Sequence, residues 1–263
     1  MLPTETAASL PAVRRSNILN FVDASGSATI RELAVFLNVS EATVRRDLDE
    51  LDAEKMLERT RGGAQSLRTT RTAFEAAYRD KASLMVEEKQ RIGACAASYV
   101  EDGDTILLDT GTPTLQIASQ LAEKKNITVI TYDLYIATTI ELDASSTLIV
   151  PGGTRRPGFG VLVGPVTKAF LQGIRVDKTF LAADAVSPEF GVSNATLDEA
   201  DLKKVLISAA QKVFLVADHS KFGGVSLVRV CPLSDVDLIL TDKGLPSAQQ
   251  EKLTEMGCTY LML

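Results

Sequence analysis

Apolar positions between residues 28 and 51 fall into two helical stripes separated by a short polar break. Leu33, Ala34 and Leu37 share one face of a first segment, and Val44, Leu48 and Leu51 share one face of a second. Thr29, with Glu32 three residues on, has the form of a capping box, so the first helix is predicted to begin near Ile30. Ser40 suits the N-cap of the second helix, and Val39 lies in the turn between them. Two short helices meeting at a tight turn over a shared apolar core make a helix-turn-helix, here at about residues 28–47. A preceding helix from Pro11 to near Gly26, carrying Val13, Ile18, Phe21 and Val22, is expected to buttress the pair.

With Val44 pointing inward, Ala42 and Arg46 project nearly opposite, flanked by Thr43 and Arg45. Small, hydroxyl and guanidinium groups on the first two turns suit a helix entering the major groove N-terminus first. The candidate DNA-contact set on this helix is therefore Ser40, Glu41, Ala42, Thr43, Arg45 and Arg46. The competing reading is a plain helical hairpin with a solvated basic face. Residues 57–65 read as a β-hairpin turning at Gly62-Gly63. Such a wing would carry Arg59 and Arg61 to phosphates or to the adjacent minor groove, with Gly62 and Gly63 allowing close backbone approach. The plainer alternative is a hairpin that only closes the small core.

Beyond residue 89 the pattern becomes one of alternating strands and helices. Strands are predicted at 104–109, 127–131, 147–150, 178–183, 212–217, 236–241 and 259–262, and helices at 91–100, 112–124, 164–173, 197–210 and 246–257. Short apolar strands separated by amphipathic helices imply an α/β fold with a doubly wound, mostly parallel sheet. Ligands of such sheets sit beyond the carboxyl ends of the strands. Those ends carry Asp109-Thr110-Gly111-Thr112-Pro113-Thr114, Thr131-Tyr132-Asp133, Pro151-Gly152-Gly153-Thr154-Arg155-Arg156, Asp184 and Asp218-His219-Ser220-Lys221, among which Asp109, Gly111, Thr112, Thr114, Thr131, Tyr132, Gly152, Gly153, Asp184 and Lys221 are the candidate effector contacts. Thr112 is read as an N-cap followed by Pro113, which would aim amides and hydroxyls at an anion such as phosphate. The same residue types also serve capping alone, and Lys221 could be a surface lysine. The helix at 197–210 opens with Asp198 and Glu199 and continues with Lys203-Lys204, an ordinary complement to the helix dipole. The expected organisation is a flexible leader at 1–10, a DNA-binding domain at 11–66, a linker at 67–88 with helical character from 74, and a sensing α/β domain at 89–263.

Composition narrows the classes. In 263 residues, 45% hydrophobic against 24% charged argues for folded cores over disorder. There is no apolar run of eighteen uncharged residues and no secretory signal pattern at the start, so the expected place is the cytoplasm, without membrane association. Cys95, Cys231 and Cys258 are odd in number and widely spaced, which implies reduced thiols and neither a disulfide framework, a metal site nor a cofactor. The net charge of −6 belongs to the C-terminal part, because residues 1–72 hold ten basic and ten acidic side chains. A neutral DNA-binding domain depends on where its arginines point, and a homodimer or homotetramer would be needed for useful affinity.

The stretch from Arg31 onward, RELAVFLNVSEATVRRDLDELDAEKMLERTRGGA, resembles the N-terminal winged helix of the DeoR family of bacterial sugar-metabolism regulators. The likeness falls on Val39-Ser40, Thr43, Arg45-Arg46-Asp47-Leu48, Arg59 and Gly62-Gly63-Ala64, with Arg61 standing where the family has a histidine-like position. It continues through EEKQRIGACAASYVEDGDTILLDTGTPTLQIASQL and GVSNATLDEADLKKVLISAAQKVFLVADHSKFG. This second part is similar to the family's sensor domain, which resembles sugar-phosphate isomerases and is understood as a phosphosugar sensor. The resemblance implies effector contacts at Asp109, Gly111, Thr112, Thr114, Thr131, Gly152, Gly153 and Lys221. Pro113 replaces a usual threonine and Tyr132 a usual asparagine, which implies a pocket altered on that side, with Tyr132 either stacking on a sugar ring or packing.

The leading expectation is a transcriptional regulator that binds double-stranded operator DNA, a repressor of a sugar or carbohydrate catabolic operon answering to a phosphorylated sugar. The opposing class is a sugar-phosphate isomerase with a DNA-binding appendage, for which Asp184, Asp198 and Glu199 are the available carboxylates and His219 a loop residue. A third reading, a sensor acting through a protein partner without a small ligand, is disfavoured by the glycine and hydroxyl richness of the strand ends.

Overall fold

Thr29 accepts the backbone N–H of Glu32 while the Glu32 carboxylate accepts that of Thr29 at 2.8 Å, and this reciprocal cap starts α2, Ile30–Leu37. Ser40 caps α3, Glu41–Ala53, through the amide of Thr43 at 3.2 Å. Both caps stand where the spacing predicts them. The computed structural model describes residues 11–25, 27–66 and 78–263, so the expected leader and the first half of the expected linker lie outside the described residues. The chain divides into two compact units, Met1–Ala76 and Ala77–Leu263.

In the first unit α1 (Pro11–Ser25), α2 and α3 close over Ile18, Val22, Leu33, Leu37, Val44, Leu48 and Leu51. The hairpin consists of β2, Glu58–Thr60, and β3, Gly63–Gln65, with Arg61-Gly62 at its turn. Gly63 is therefore a strand residue, one position further along than expected. It pairs with Thr29 in a strand the hydrophobic pattern misses, β1, Ser27–Thr29, and the sheet order is β1-β3-β2. A Cβ at Gly63 would stand 1.9 Å from the Ala28 carbonyl oxygen, so glycine is required there for sheet packing. The Gly62 carbonyl accepts the amide of Ile30 at 2.9 Å, tying the wing to the start of α2.

The second unit begins with α4, Tyr78–Ser83, and α5, Val86–Ser98, so residues 78–88, expected as linker, are elements of this unit. Its seven-stranded sheet comprises β4 (Thr105–Leu108), β5 (Thr128–Thr131), β6 (Thr147–Ile149), β9 (Val176–Leu181), β12 (Ala210–Val216), β14 (Leu238–Thr241) and β15 (Tyr260–Met262). These match the seven predicted strands, and every neighbouring pair is parallel in the order β15-β14-β12-β9-β4-β5-β6. The intervening helices are α6 (Thr112–Ala118), α7 (Leu134–Thr139), α8 (Pro165–Gln172), α9 (Leu197–Ala209) and α10 (Ser247–Glu255). Alternation along the strands shows both faces covered. Ile106 and Leu108 pack with Ile92, Ala96 and Ile117 on one face, and Leu107 with Leu171, Leu202 and Leu206 on the other.

The strand order reverses between β4 and β9, which opens a crevice at their carboxyl ends. Two small antiparallel additions sit near those ends. One is β7 (Thr154–Arg155) with β8 (Leu162–Val163), and the other is β10 (Ala185–Ser187), β11 (Gly191–Asn194) and β13 (Val228–Cys231). Among the described residues no helix is long and apolar enough to cross a membrane.

Candidate DNA interface and ligand crevice

α3 presents two different faces. Val44, Leu48 and Leu51 are buried, and Asp47 is buried with them at 2% exposure, whereas Ala42, Arg45, Arg46, Asp49 and Glu50 line the outer surface. Asp47 receives a two-pronged hydrogen bond from Arg14 of α1, Nε at 2.5 Å and Nη2 at 2.9 Å. This partner raises the Arg14 pKa against the opposing effect of burial. Arg15 reinforces it on Glu50 at 2.5 Å. α3 is thus held to α1 by its inner flank, which leaves Arg46 outward.

The other candidate DNA residues separate by what they already bind. Arg45 reaches back to Glu41 at 2.9 Å, so those two form an exposed intrahelical pair. Ser40 and Thr43 share a hydroxyl contact at 2.9 Å within the cap. Arg59, expected at phosphate, is engaged inside the domain: its Nε meets Asp49 at 3.1 Å and its Nη1 the Gly63 carbonyl at 3.0 Å, which fastens the wing to α3. Gly63 is buried in the sheet, while Gly62 and Arg61 form the exposed wing tip. Among the described residues Arg46 and Arg61 make no ion pair, which leaves both guanidinium groups available for phosphate or base edges.

At the sheet reversal the structure corrects several expectations. Asp109, expected to contact sugar hydroxyls, is fully buried and saturated. It accepts Lys203 Nζ, Tyr132 Oη, the Ala182 amide at 2.8 Å and its neighbour Thr110's amide at 2.8 Å. Tyr132 is fully buried too, so it packs and does not stack on a ligand, and burial beside Asp109 pushes its pKa well up. Lys203, read from sequence as a complement to the helix dipole, is 2% exposed and bridges Asp109 to the Ala182 carbonyl.

The N-cap of α6 is Gly111 and not Thr112, and α6 ends at Ala118, short of the predicted 124. Gly111 has φ 147°, and a Cβ there would lie 3.1 Å from the Ala182 Cβ. Thr114 is buried and donates to the Gly111 carbonyl at 2.8 Å, and buried Thr131 accepts the Asp133 amide at 3.2 Å. Thr112 is buried at the first turn. Gly152 and Gly153 are exposed: the Gly152 carbonyl accepts Thr167 Oγ1 at 2.8 Å, and a Cβ on Gly153 would meet that oxygen at 2.1 Å. Their glycine character serves loop packing on α8.

Beyond the strand ends runs a chain of paired charges. Asp184, just beyond β9, accepts Lys81 Nζ at 2.8 Å and the Ala195 amide at 3.0 Å. Burial alone would raise its pKa, but Lys81, then Lys221 and the Ala195 amide, hold it well below the usual carboxylate range. Lys81 also lies 5.9 Å from the Phe159 ring centre, whose other neighbour is the Arg156 guanidinium at 4.2 Å. Arg156 in turn donates to buried Glu199 at 2.5 Å, and Asn194 reaches the second Glu199 oxygen at 3.1 Å. Lys221 is buried in a helical turn, His219–Lys221, that Asp218 caps through the Ser220 amide at 3.1 Å. His219 is clamped by Asp242, Nδ1 to Oδ2 2.6 Å, a hydrogen bond that raises its pKa against burial. Lys81, Phe159 and Asn194 were not among the sequence candidates, and Arg156 stood only among the residues at the strand ends, with no role given to it. Lys81 comes from the stretch read as a helical connection, and only the fold brings these residues to Asp184. Among the described residues no cluster of His, Cys, Asp or Glu is arranged to hold a metal ion.

Residues 14–70 match the family described as DeoR-like helix-turn-helix domain, and residues 84–243 that described as DeoR C terminal sensor domain. The chain is 34% identical to "Uncharacterized HTH-type transcriptional regulator YgbI" of Escherichia coli (strain K12), over 96% of this chain and 98% of the relative. It is 29% identical to "Glycerol-3-phosphate regulon repressor" of the same organism, over 92% and 95%. Among solved structures, "Ribose 5-phosphate isomerase from Plasmodium falciparum" is similar with a TM-score of 0.37 and 16% identity, covering 53% of this chain and 54% of the other.

Proposed function

The chain belongs to the DeoR family of DNA-binding transcriptional regulators, and on that premise we propose that it is a cytoplasmic repressor of a sugar or carbohydrate catabolic operon. Its hold on the operator is changed by a phosphorylated sugar bound in the crevice of the second unit. The chain is not an enzyme, in keeping with relatives that are named as regulators and repressors. Of the three carboxylates open to a catalytic reading, Asp184, Asp198 and Glu199, the first and last are each committed to a cation.

The observation that carries the ligand reading is the charge line itself. Lys81, Lys221 and Arg156 gather there with Asp184, Glu199 and the Asn194 amide, a mixture of cationic donors and carboxylate acceptors that suits an anionic group accompanied by hydroxyls. Operator contact is assigned to the Met1–Ala76 unit and sensing to the Ala77–Leu263 unit. A homodimer or homotetramer is required by this reading, because one winged helix with few unpaired cations holds phosphate weakly. Coupling of about 1–3 kcal/mol between the sites is typical for such linkage.

Two tests address the two halves. Arg46→Ala should weaken specific operator binding by about 1–3 kcal/mol with the fold intact, whereas Arg61→Ala should weaken all sequences alike and flatten the salt slope by about one unit. Fluorescence anisotropy on operator and scrambled duplexes reads both, and unchanged operator affinity for Arg46→Ala would remove the assigned recognition face. For the sensor, a thermal-shift screen of sugar and polyol phosphates at large excess should find a stabilising compound. Lys221→Ala should then need about ten- to hundredfold more of that compound to act on operator binding. An unshifted dose response would place Lys221 outside the site.

A further inference from the structure

The first segment of the second unit, α4 and the residues up to Met85, contacts residues that follow the carboxyl ends of β5 and β9 and is held by three sets of contacts. Lys81 is paired with Asp184 at 2.8 Å, and the Tyr78 ring stacks on Tyr135 with centroids 4.3 Å apart. From α5, buried Lys89 donates to the carbonyls of Lys81 and Leu84, the latter at 2.5 Å. The Tyr78 hydroxyl is buried without a hydrogen-bond partner among the described residues. This strap therefore leaves one donor unsatisfied and holds a half-buried ion pair across the site, an arrangement with something to gain from a ligand.

Parting a half-buried ion pair is costly unless each partner receives a replacement. An inorganic anion offers Lys81 a partner but repels Asp184. A neutral polyol offers Asp184 a hydroxyl but gives Lys81 no negative charge in exchange for the carboxylate. A molecule with both groups serves both sides at once, its phosphate meeting Lys81 and neighbouring Lys221 and a hydroxyl donating to Asp184.

We propose that the Lys81–Asp184 pair is a latch on the strap, opened when one ligand carrying a hydroxyl and a phosphate takes over both partners. The proposal rests on the phosphosugar reading above and specifies how that site is regulated. The strap is the first described segment of the second unit, so opening the latch changes the part of that unit nearest in sequence to the DNA-binding unit.

The test is hydrogen–deuterium exchange of the full-length protein, followed in peptides covering residues 78–89. Without ligand, Lys81→Met should exchange there at least about tenfold faster than wild type, with β9 and β12 unchanged, while Lys81→Arg keeps the protection. In wild type, a polyol phosphate that stabilises the protein should speed exchange of the strap, whereas inorganic phosphate alone and glycerol alone should not. Equal strap exchange in Lys81→Met and wild type would overturn the latch, as would a stabilising polyol phosphate that leaves the strap unaltered, or opening by inorganic phosphate alone. If no polyol phosphate binds, the phosphosugar reading fails and with it the ligand exchange, while the ligand-free comparison still decides whether Lys81 holds the strap.

Discussion

Replacing Lys203 with methionine should destabilise the second unit by about 3–5 kcal/mol, because it strands the Asp109 carboxylate in the core without its cation. Methionine retains most of the side-chain length, so the loss is chiefly electrostatic and not a cavity. The Tyr132 hydroxyl and the amides of Thr110 and Ala182 would still solvate Asp109, but none carries a charge. In a thermal melt the unit's transition should fall by roughly 6 to 20 °C, with the transition of the DNA-binding unit unmoved. Adding Asp109→Asn should restore part of the loss, since the remaining amide is neutral and can still bond to Tyr132 and Ala182. A Lys203→Met transition at the wild-type temperature would mean that the pair contributes nothing, and no recovery in the double variant would point to packing instead of charge.

The second large effect is expected at Asp47. Asp47→Ala removes both prongs of the Arg14 contact and should cost the DNA-binding unit about 2–3 kcal/mol, in the range of charge-assisted hydrogen bonds with one partner left largely buried. Operator affinity should fall in parallel, because α3 loses its attachment to α1 along the flank opposite Arg46. Chemical denaturation and operator titration of the same variant separate two roles. A drop in affinity with unchanged stability would mean that Asp47 acts at the DNA; a drop in both, recovered by the paired apolar change Arg14→Leu with Asp47→Leu, marks it as a positioning residue.

These two residues also explain what was and was not legible in the sequence. The seven parallel strands and the caps of α2 and α3 follow from local pattern: apolar runs bounded by polar ends, and Thr29-Glu32 and Ser40 at fixed spacing. β1, β10 and β11 are three- or four-residue stretches whose partners are remote, so no local period announces them. The buried charges did leave a trace. Asp47 falls on one helical face with Val44, Leu48 and Leu51, Lys203 with Glu199, Leu202 and Leu206, and Lys89 with Ile92, Gly93 and Ala96. In each case a charged residue occupies a place in the buried stripe, and reading Lys203 only as a complement to the helix dipole passed over its position in that stripe. A charge there predicts a partner, though not which one: Arg14, Asp109 and the carbonyls of the strap are all distant in sequence or set by tertiary structure. The crevice was less legible than the fold for the same reason. Strand ends could be named, but Asp109 and Tyr132 turn inward while Lys81 arrives from the helical connection before the sheet.

The division of α3 into an anchored inner flank and an open outer face bears on how such a regulator changes its target over evolutionary time. Ala42, Arg45 and Arg46 are exposed, and among the described residues Arg46 takes part in no ion pair, so substitutions there meet little resistance from packing. Val44, Asp47, Leu48 and Leu51 bear the folding constraint at alternating positions of the same two turns. A drifting or duplicated copy can therefore explore new operator sequences by single substitutions that are nearly neutral for stability, without repeated compensation in the core. The helix is arranged so that its recognition alphabet mutates independently of its scaffold, and selection can act on the one while the other stands still.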